Sequence, residues 1–464
     1  MIKIIIFSLI VVIYVIFFFM DRKKALWALF LIKLPLDQVA WNINIPIPFI
    51  PLRVSEAFGT FIMILILVTF MLDSLKESNR KGFFRSIPSM LIIPIIIFMI
   101  MLFVNTLRSG SLFSALPGFF KLTTGIIIGT YVAKTLETEE EINWLIRCML
   151  FGTVAISILS IPAIYSGGEF KIYAPTTENR NVGTYLDGGV GRYQSATSFT
   201  EAFLVNVSAI LFASIVLKSK WEKLLCLLVI VFTIVAVFAS ANRSGWLTLA
   251  IILIIWMVVK RKWKLLVISA FCILVLATAQ MFSSTLQIAY QRIAYESKSL
   301  EKGKLPDNSF GGRPFVWKTY MTYYMEAPLL DKLIGSNRIL YMGSITTGHD
   351  PHNDFLFILI KMGIIGLVVT LFLYIVTFFY ILKAMLSTDN NYDWDLAFTA
   401  ILAFLIMFIT SFTRTGLQNP NFEWIFWTFT MLTLKRYISA NNIAYQSEES
   451  LDDESKDSVL EEAG

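Results

Sequence analysis

The chain has only two histidines, His349 and His352, and both fall in Gly348-His349-Asp350-Pro351-His352-Asn353-Asp354, directly ahead of a long apolar block. Asp350 suits a helix N-cap and Pro351 the first helical position, so the stretch predicts a helix with His352 in its first turn. The positive end of the helix dipole there disfavours an imidazolium and favours a neutral ring able to take a proton. A general base acting on an acceptor hydroxyl needs that state. The same residues admit two other readings. A histidine at a helix start can be a hydrogen-bonded cap, and His-x-x-His spacing can turn two rings toward one metal ion. Pro351 between the rings and the lack of an obvious third ligand weigh against the metal, and none is expected.

Arginines supply the second kind of chemistry. Arg243 lies in Ser240-Ala241-Asn242-Arg243-Ser244-Gly245-Trp246, a polar break between two apolar blocks. A guanidinium fixed there could grip phosphate through two parallel hydrogen bonds. It could equally be a topological anchor that snorkels to the headgroups. Arg313 follows Gly311 and Gly312, and Arg192 sits in Gly191-Arg192-Tyr193-Gln194; a solvated loop arginine is the default for both. Convergence is the stronger argument. By the topology below, Arg192, Arg243, Arg313 and His352 all reach one face of the membrane. Several arginines beside one histidine suit a reaction whose leaving group is a membrane-bound pyrophosphate. Lys361, nine residues beyond His352 in an apolar helix, is expected either to line a wet cavity or to sit in a structural ion pair.

These residues need a scaffold, and the composition identifies it. Of the 464 residues, 56% are apolar and 16% charged, whereas a soluble domain keeps about a quarter of its residues charged. The apolar residues come in blocks long enough to cross a hydrocarbon core of about 30 Å as helix. The sequence predicts an all-α polytopic membrane protein with spans near 3–20, 24–36, 57–72, 87–104, 112–134, 142–162, 197–217, 221–239, 245–260, 263–282, 355–382, 395–412 and 421–436. The second, short and carrying Lys33, is the weakest. The net charge of +6 collects in short basic runs between blocks, including Arg22-Lys23-Lys24 and Lys260 to Lys264. That distribution marks cytoplasmic loops rather than a nucleic-acid surface. No nucleic-acid partner is expected.

The organisation that follows has N-terminal helices over 1–162, an outer loop at 163–196 and central helices over 197–282. A large outer loop follows at 283–354, then C-terminal helices at 355–436 and an acidic tail at 437–464 read as disordered and cytoplasmic. Within the large loop, Phe315, Trp317, Tyr320, Tyr323 and Tyr324 recur at helical spacing, predicting a short interfacial helix over Pro314 to Met325. Cys148, Cys226 and Cys272 lie inside apolar blocks with no paired spacing, so no disulfide framework is expected.

Three motifs in this order resemble the O-antigen ligase and polymerase family of bacterial membrane glycosyltransferases. Asn242-Arg243-Ser244 is similar to the family's Ser-Arg segment opening a span. Gly312-Arg313 with Trp317, then Pro328-Leu329 and Gly335, is similar to its Gly-Arg…Trp…Pro-Leu-x-Gly run. His352-Asn353 with Phe355-Leu356, then Gly363-Ile364-Ile365-Gly366-Leu367, is similar to its His-Asn…Gly-x-x-Gly-Leu segment. The sequence departs at Asn242, where serine is usual, and at Lys361, where many members carry glutamate.

The resemblance implies an inner-membrane enzyme with its site on the outer face, its C-terminus cytoplasmic and no cofactor. The donor would be a polyprenyl-pyrophosphate-linked glycan, transferred without a metal to a glycan or lipid hydroxyl, among membrane lipids and alongside polysaccharide-assembly proteins. Residue by residue, it implies His352 as base and Arg243 and Arg313 on the donor pyrophosphate. Arg192, Asn353, Trp317 and His349 would help bind substrate. Polymerisation of lipid-linked repeats is the first reading and ligation of the finished glycan to lipid A-core or protein the second. A lipid-linked sugar transporter is the competing class, disfavoured because the distinctive polar residues crowd one face and only Lys33 and Lys361 lie deep.

Overall fold

Apolar blocks of this length fold as helix because lipid offers no partner for an exposed backbone amide, and a helix pairs its own. The computed structural model follows that rule almost throughout. It describes residues 2–40, 44–47, 50–76, 89–108, 112–165, 203–239, 243–262, 313–347, 351–413, 416–417, 419 and 421–441. The first six helices are α1 (Ile2–Met20), α2 (Arg22–Ala40), α3 (Val54–Lys76), α4 (Ser89–Leu107), α5 (Leu112–Thr135) and α6 (Glu139–Tyr165). Then come α7 (Val207–Val216), α8 (Lys220–Ala239) and α9 (Arg243–Val259). Three short helices, α10 (Arg313–Glu326), α11 (Leu329–Ile334) and α12 (Asn337–Thr347), precede α13 (Asp354–Leu386), α14 (Asn391–Thr413) and a last helix, α15, over 421–441. A two-stranded antiparallel hairpin, β1 (Asn44–Ile47) with β2 (Ile50–Arg53), interrupts the helices, its register pairing Asn44 with Arg53 and Ile47 with Ile50.

Each apolar block expected to span the membrane overlaps a described helix, except 263–282, which lies outside the described residues, as do most of the loop at 163–196 and part of that at 283–354. Among the described residues, Glu139–Leu159, Asp354–Leu386 and Asn391–Phe412 are long and apolar enough to cross a membrane, and shorter apolar helices accompany them. The doubtful second block is helix α2. Its Ala25, Leu26 and Leu29 are fully buried, and α2 packs along α6. Lys33 is buried too, its ammonium 3.2 Å from Asn421 Oδ1 and 5.0 Å from the Trp424 ring centroid.

The core lies around α15. Trp427, Phe426 and Phe429 are completely buried there, and α5 meets them backbone to backbone. A Cβ on Gly129 would stand 2.5 Å from the Trp427 carbonyl carbon, and one on Gly125 2.7 Å from Glu423 Cβ. In lipid, where apolar contact with a neighbour gains little over contact with acyl chains, such close approach is a main source of helix association. Glu423 shows how the core treats a carboxylate. Its two oxygens accept from Tyr374 Oη at 2.7 Å and Trp427 Nε1 at 2.6 Å.

Candidate active site

The His352 turn differs from the expected helix start. Helix α13 begins at Asp354, not Pro351, and its N-cap is Asn353 in extended conformation, with Oδ1 accepting from Leu356 N at 2.9 Å. The correction has a physical reason. Asn353 Oδ1 satisfies an otherwise orphaned amide of the first turn. That displaces Asp350, itself outside the described residues, from the role of cap. His352 therefore sits just ahead of the cap, not in the first turn, at a left-handed φ of 48°. Few residues other than glycine adopt that conformation, and histidine is among those that do so more often. Its side chain is exposed, while Pro351 before it and Asp354 after it are buried.

The neighbours of His352 are held in place by hydrogen bonds from three elements. The Asn353 amide donates from Nδ2 to Phe412 O at 3.1 Å, fixing the turn to the end of α14. The Asp354 carboxylate accepts from Leu417 N at 2.5 Å, tying the chain beyond α14 to the same spot. From the third side, the indole of Trp317 donates to Pro351 O at 2.7 Å. Trp317 lies on α10 one helical turn beyond Arg313, and residues so spaced share a face about 6 Å apart. The bond thus brings the Arg313 turn of α10 alongside the histidine. The aromatic spacing that predicted this helix is used mostly inward: Tyr320 and Tyr324 are buried, and Phe315 is exposed. Tyr324 Oη donates to Lys332 O at 2.8 Å, and burial raises its phenol above the ordinary value, so it stays a donor at neutral pH.

Arg243 opens α9, and a ruler of equal helix lengths places its backbone. Lys260, at the far end of α9, pairs with Asp395 near the start of α14, and the two helices pack antiparallel. From Lys260 back to Arg243 and from Asp395 forward to Phe412 the chain covers the same span, about 25 Å at 1.5 Å per residue. Arg243 therefore comes level with Phe412, whose carbonyl holds Asn353. Trp246 Nε1 donates to Val237 O at 2.8 Å, joining the start of α9 to the end of α8. Arg243, Arg313 and His352 share one end of the bundle. Arg192 and His349 lie outside the described residues.

Lys361, 7% exposed, lies about 12 Å along α13 from Asn353 by helix rise. Its ammonium is 5.3 Å from the Phe357 ring centroid and occupies the space beside Gly118 of α5, where a Cβ would stand 2.5 Å from Nζ. Among the described residues no group of histidine, cysteine and carboxylate side chains is arranged to hold a metal ion.

Residues 228–371, just under a third of the chain, match a family model described as O-Antigen ligase. Over these residues the chain is similar to the O-antigen ligase family. The matched segment runs from within α8 into α13 and includes Arg243, Arg313, Trp317, His352, Asn353, Gly363 and Gly366; Arg192 falls before it. The match supports the resemblance to the O-antigen ligase and polymerase family that the three sequence motifs implied, and the helices are consistent with an all-α membrane protein. A comparison with curated proteins returned no match. Two residues next to the candidate site had no signal in the sequence. Asn105 and Arg108, at the end of α4, reach the loop helices, and a polar pair closing an apolar block reads from sequence as no more than a membrane boundary.

Proposed function

We propose that this protein polymerises lipid-linked oligosaccharide repeats at the outer face of a bacterial inner membrane, with the end of the bundle that carries His352 as its active site. The match to the family model supports a glycosyl-transferring membrane protein; the acceptor, the residues and their roles are our reading. His352 takes the proton of an acceptor hydroxyl. That oxygen bonds to the donor's anomeric carbon as the bond from this carbon to the pyrophosphate oxygen breaks. The electron pair leaves with the polyprenyl pyrophosphate, where Arg243 and Arg313 offset the growing charge. In this scheme Asn353 and Trp317 hold the turn, Arg192 and His349 contact substrate, and side-chain charge replaces a metal ion.

The observation that carries the proposal is the Trp317 to Pro351 hydrogen bond, because it couples the arginine-bearing loop helix to the histidine turn. The exposed side chain of His352 is consistent with access by a hydroxyl. The description of the matched family favours a second reading, transfer of a finished glycan to lipid A-core or protein. The surface glycan of a deletion strain separates the two on a gel. Loss of the ladder with a single repeat retained supports polymerisation. Loss of capped lipid with build-up of carrier-linked chains supports ligation. An unchanged profile overturns both.

A further inference from the structure

Helix α13 is broken. At Gly363 the backbone turns to φ 72° and ψ −176°, far from helical values, and the chain resumes as helix beyond it. A break inside an apolar helix frees backbone groups that lipid cannot satisfy. Here the partners come from outside the helix. Ser336 N donates to Ile360 O at 2.9 Å, and the Asn105 amide donates to Lys361 O. The fit is backbone to backbone: a Cβ on Gly335, at φ 83°, would stand 2.1 Å from Lys361 O, and one on Gly363 2.3 Å from Leu333 O. The loop's α11 is thus set into the notch of α13.

The end of α4 closes over this joint. Asn105, 2% exposed, also lies 3.4 Å from Ile334 O. Arg108 donates to Gly335 O at 2.9 Å and pairs with Asp331 at 3.0 Å. The joint is continuous with the site. Tyr324 holds α11 to α10, Gly343 of α12 lies flat on the Tyr320 ring, and Ile360 of α13 completes the cluster beneath Val316. We propose that Arg108 and Asn105 are positioning residues: with Asp331 they latch the three-helix loop unit into the α13 break and so set Arg313 and Trp317 against His352. This rests on the transfer reading only for its effect on rate.

The test uses full-length protein in detergent with a polyprenyl-pyrophosphate oligosaccharide as donor. Arg108→Ala and Asp331→Ala each lower kcat by roughly 10-fold with the donor KM moved less than about 2-fold, because a misplaced group costs rate and not binding. The exchanged pair Arg108→Asp/Asp331→Arg recovers a large part of the loss, as coupled residues do. Hydrogen exchange on the same samples reads the latch directly. In Arg108→Ala the amides of 313–347 exchange about 3-fold faster or more and those of 391–413 do not change. Should Arg108→Ala fail to fold, Arg108→Lys, which keeps the charge and loses the second donor, gives the same pattern at smaller size. Wild-type rate in the single variants, a raised KM with kcat intact, an exchanged pair no better than the singles, or unaltered exchange in the loop overturns the latch. A wild-type protein that transfers no glycan overturns the function while the exchange arm still judges the latch.

Discussion

Among the described residues, the two ends of the helical bundle differ in the ion pairs they show. At the end where α1 meets α2 and α13 meets α14, acidic and basic side chains neutralise one another in pairs. Arg22 and Lys134 share Asp73 at 3.0 and 3.3 Å, Arg147 meets Glu222 at 2.7 Å, Lys260 meets Asp395, and Arg436 meets both Asp393 and Glu139. Asp21, in the turn between α1 and α2, is held below its ordinary value first by the Lys24 backbone amide. At the opposite end, where Arg243 and Arg313 start helices, the described ion pairs between an arginine and a carboxylate come down to Arg108 with Asp331. Pairing suits a surface that must be stable.

Substitutions at the two ends should therefore separate activity from stability. His352→Ala is expected to have the largest effect, a loss of about 10²-fold or more in transfer if the ring is the base, with insertion and yield unchanged; an active variant sinks that role. Arg243→Lys and Arg313→Lys should each cost about 10-fold or more, because an ammonium lacks the planar fork. A steady-state assay with lipid-linked donor reads both, and normal rates would favour the snorkelling anchor for Arg243. Gly118→Ala, which crowds the Lys361 ammonium, is expected to lower the melting temperature and reduce transfer only in proportion to folded protein. The smallest effect on rate belongs to Lys260→Ala. It should destabilise by about 1–3 kcal/mol, since it leaves the mostly buried Asp395 unpaired, with turnover per folded molecule intact. A drop in turnover there would erase the contrast between the ends.

Much of the scaffold was legible because lipid leaves few solutions. Apolar runs had to be helices, and the aromatic spacing from Phe315 to Tyr324 located α10 to within a residue or two. Local rules failed where two of them competed. Asp350-Pro351 has the composition of a helix start, yet Asn353 two residues on takes the cap and moves His352 out of the first turn. The pairing of 44–47 with 50–53 has no strand pattern in the sequence, because prolines at 46 and 51 are poor strand formers. The pairing of Gly335 with Lys361 and of Gly363 with Leu333 is beyond any local rule. Each glycine is required by a backbone far away in the chain, so the sequence marks both positions without saying that they face one another. Arg108 was silent for the same reason.

The notch in α13 has a consequence for how this protein can be recombined. Because the 313–347 helices supply a donor to the backbone of α13, the two are not inherited separately. A chimera that exchanges 313–347 alone would import a plug cut for another socket. The transplantable module is the loop together with α13 and the tip of α4.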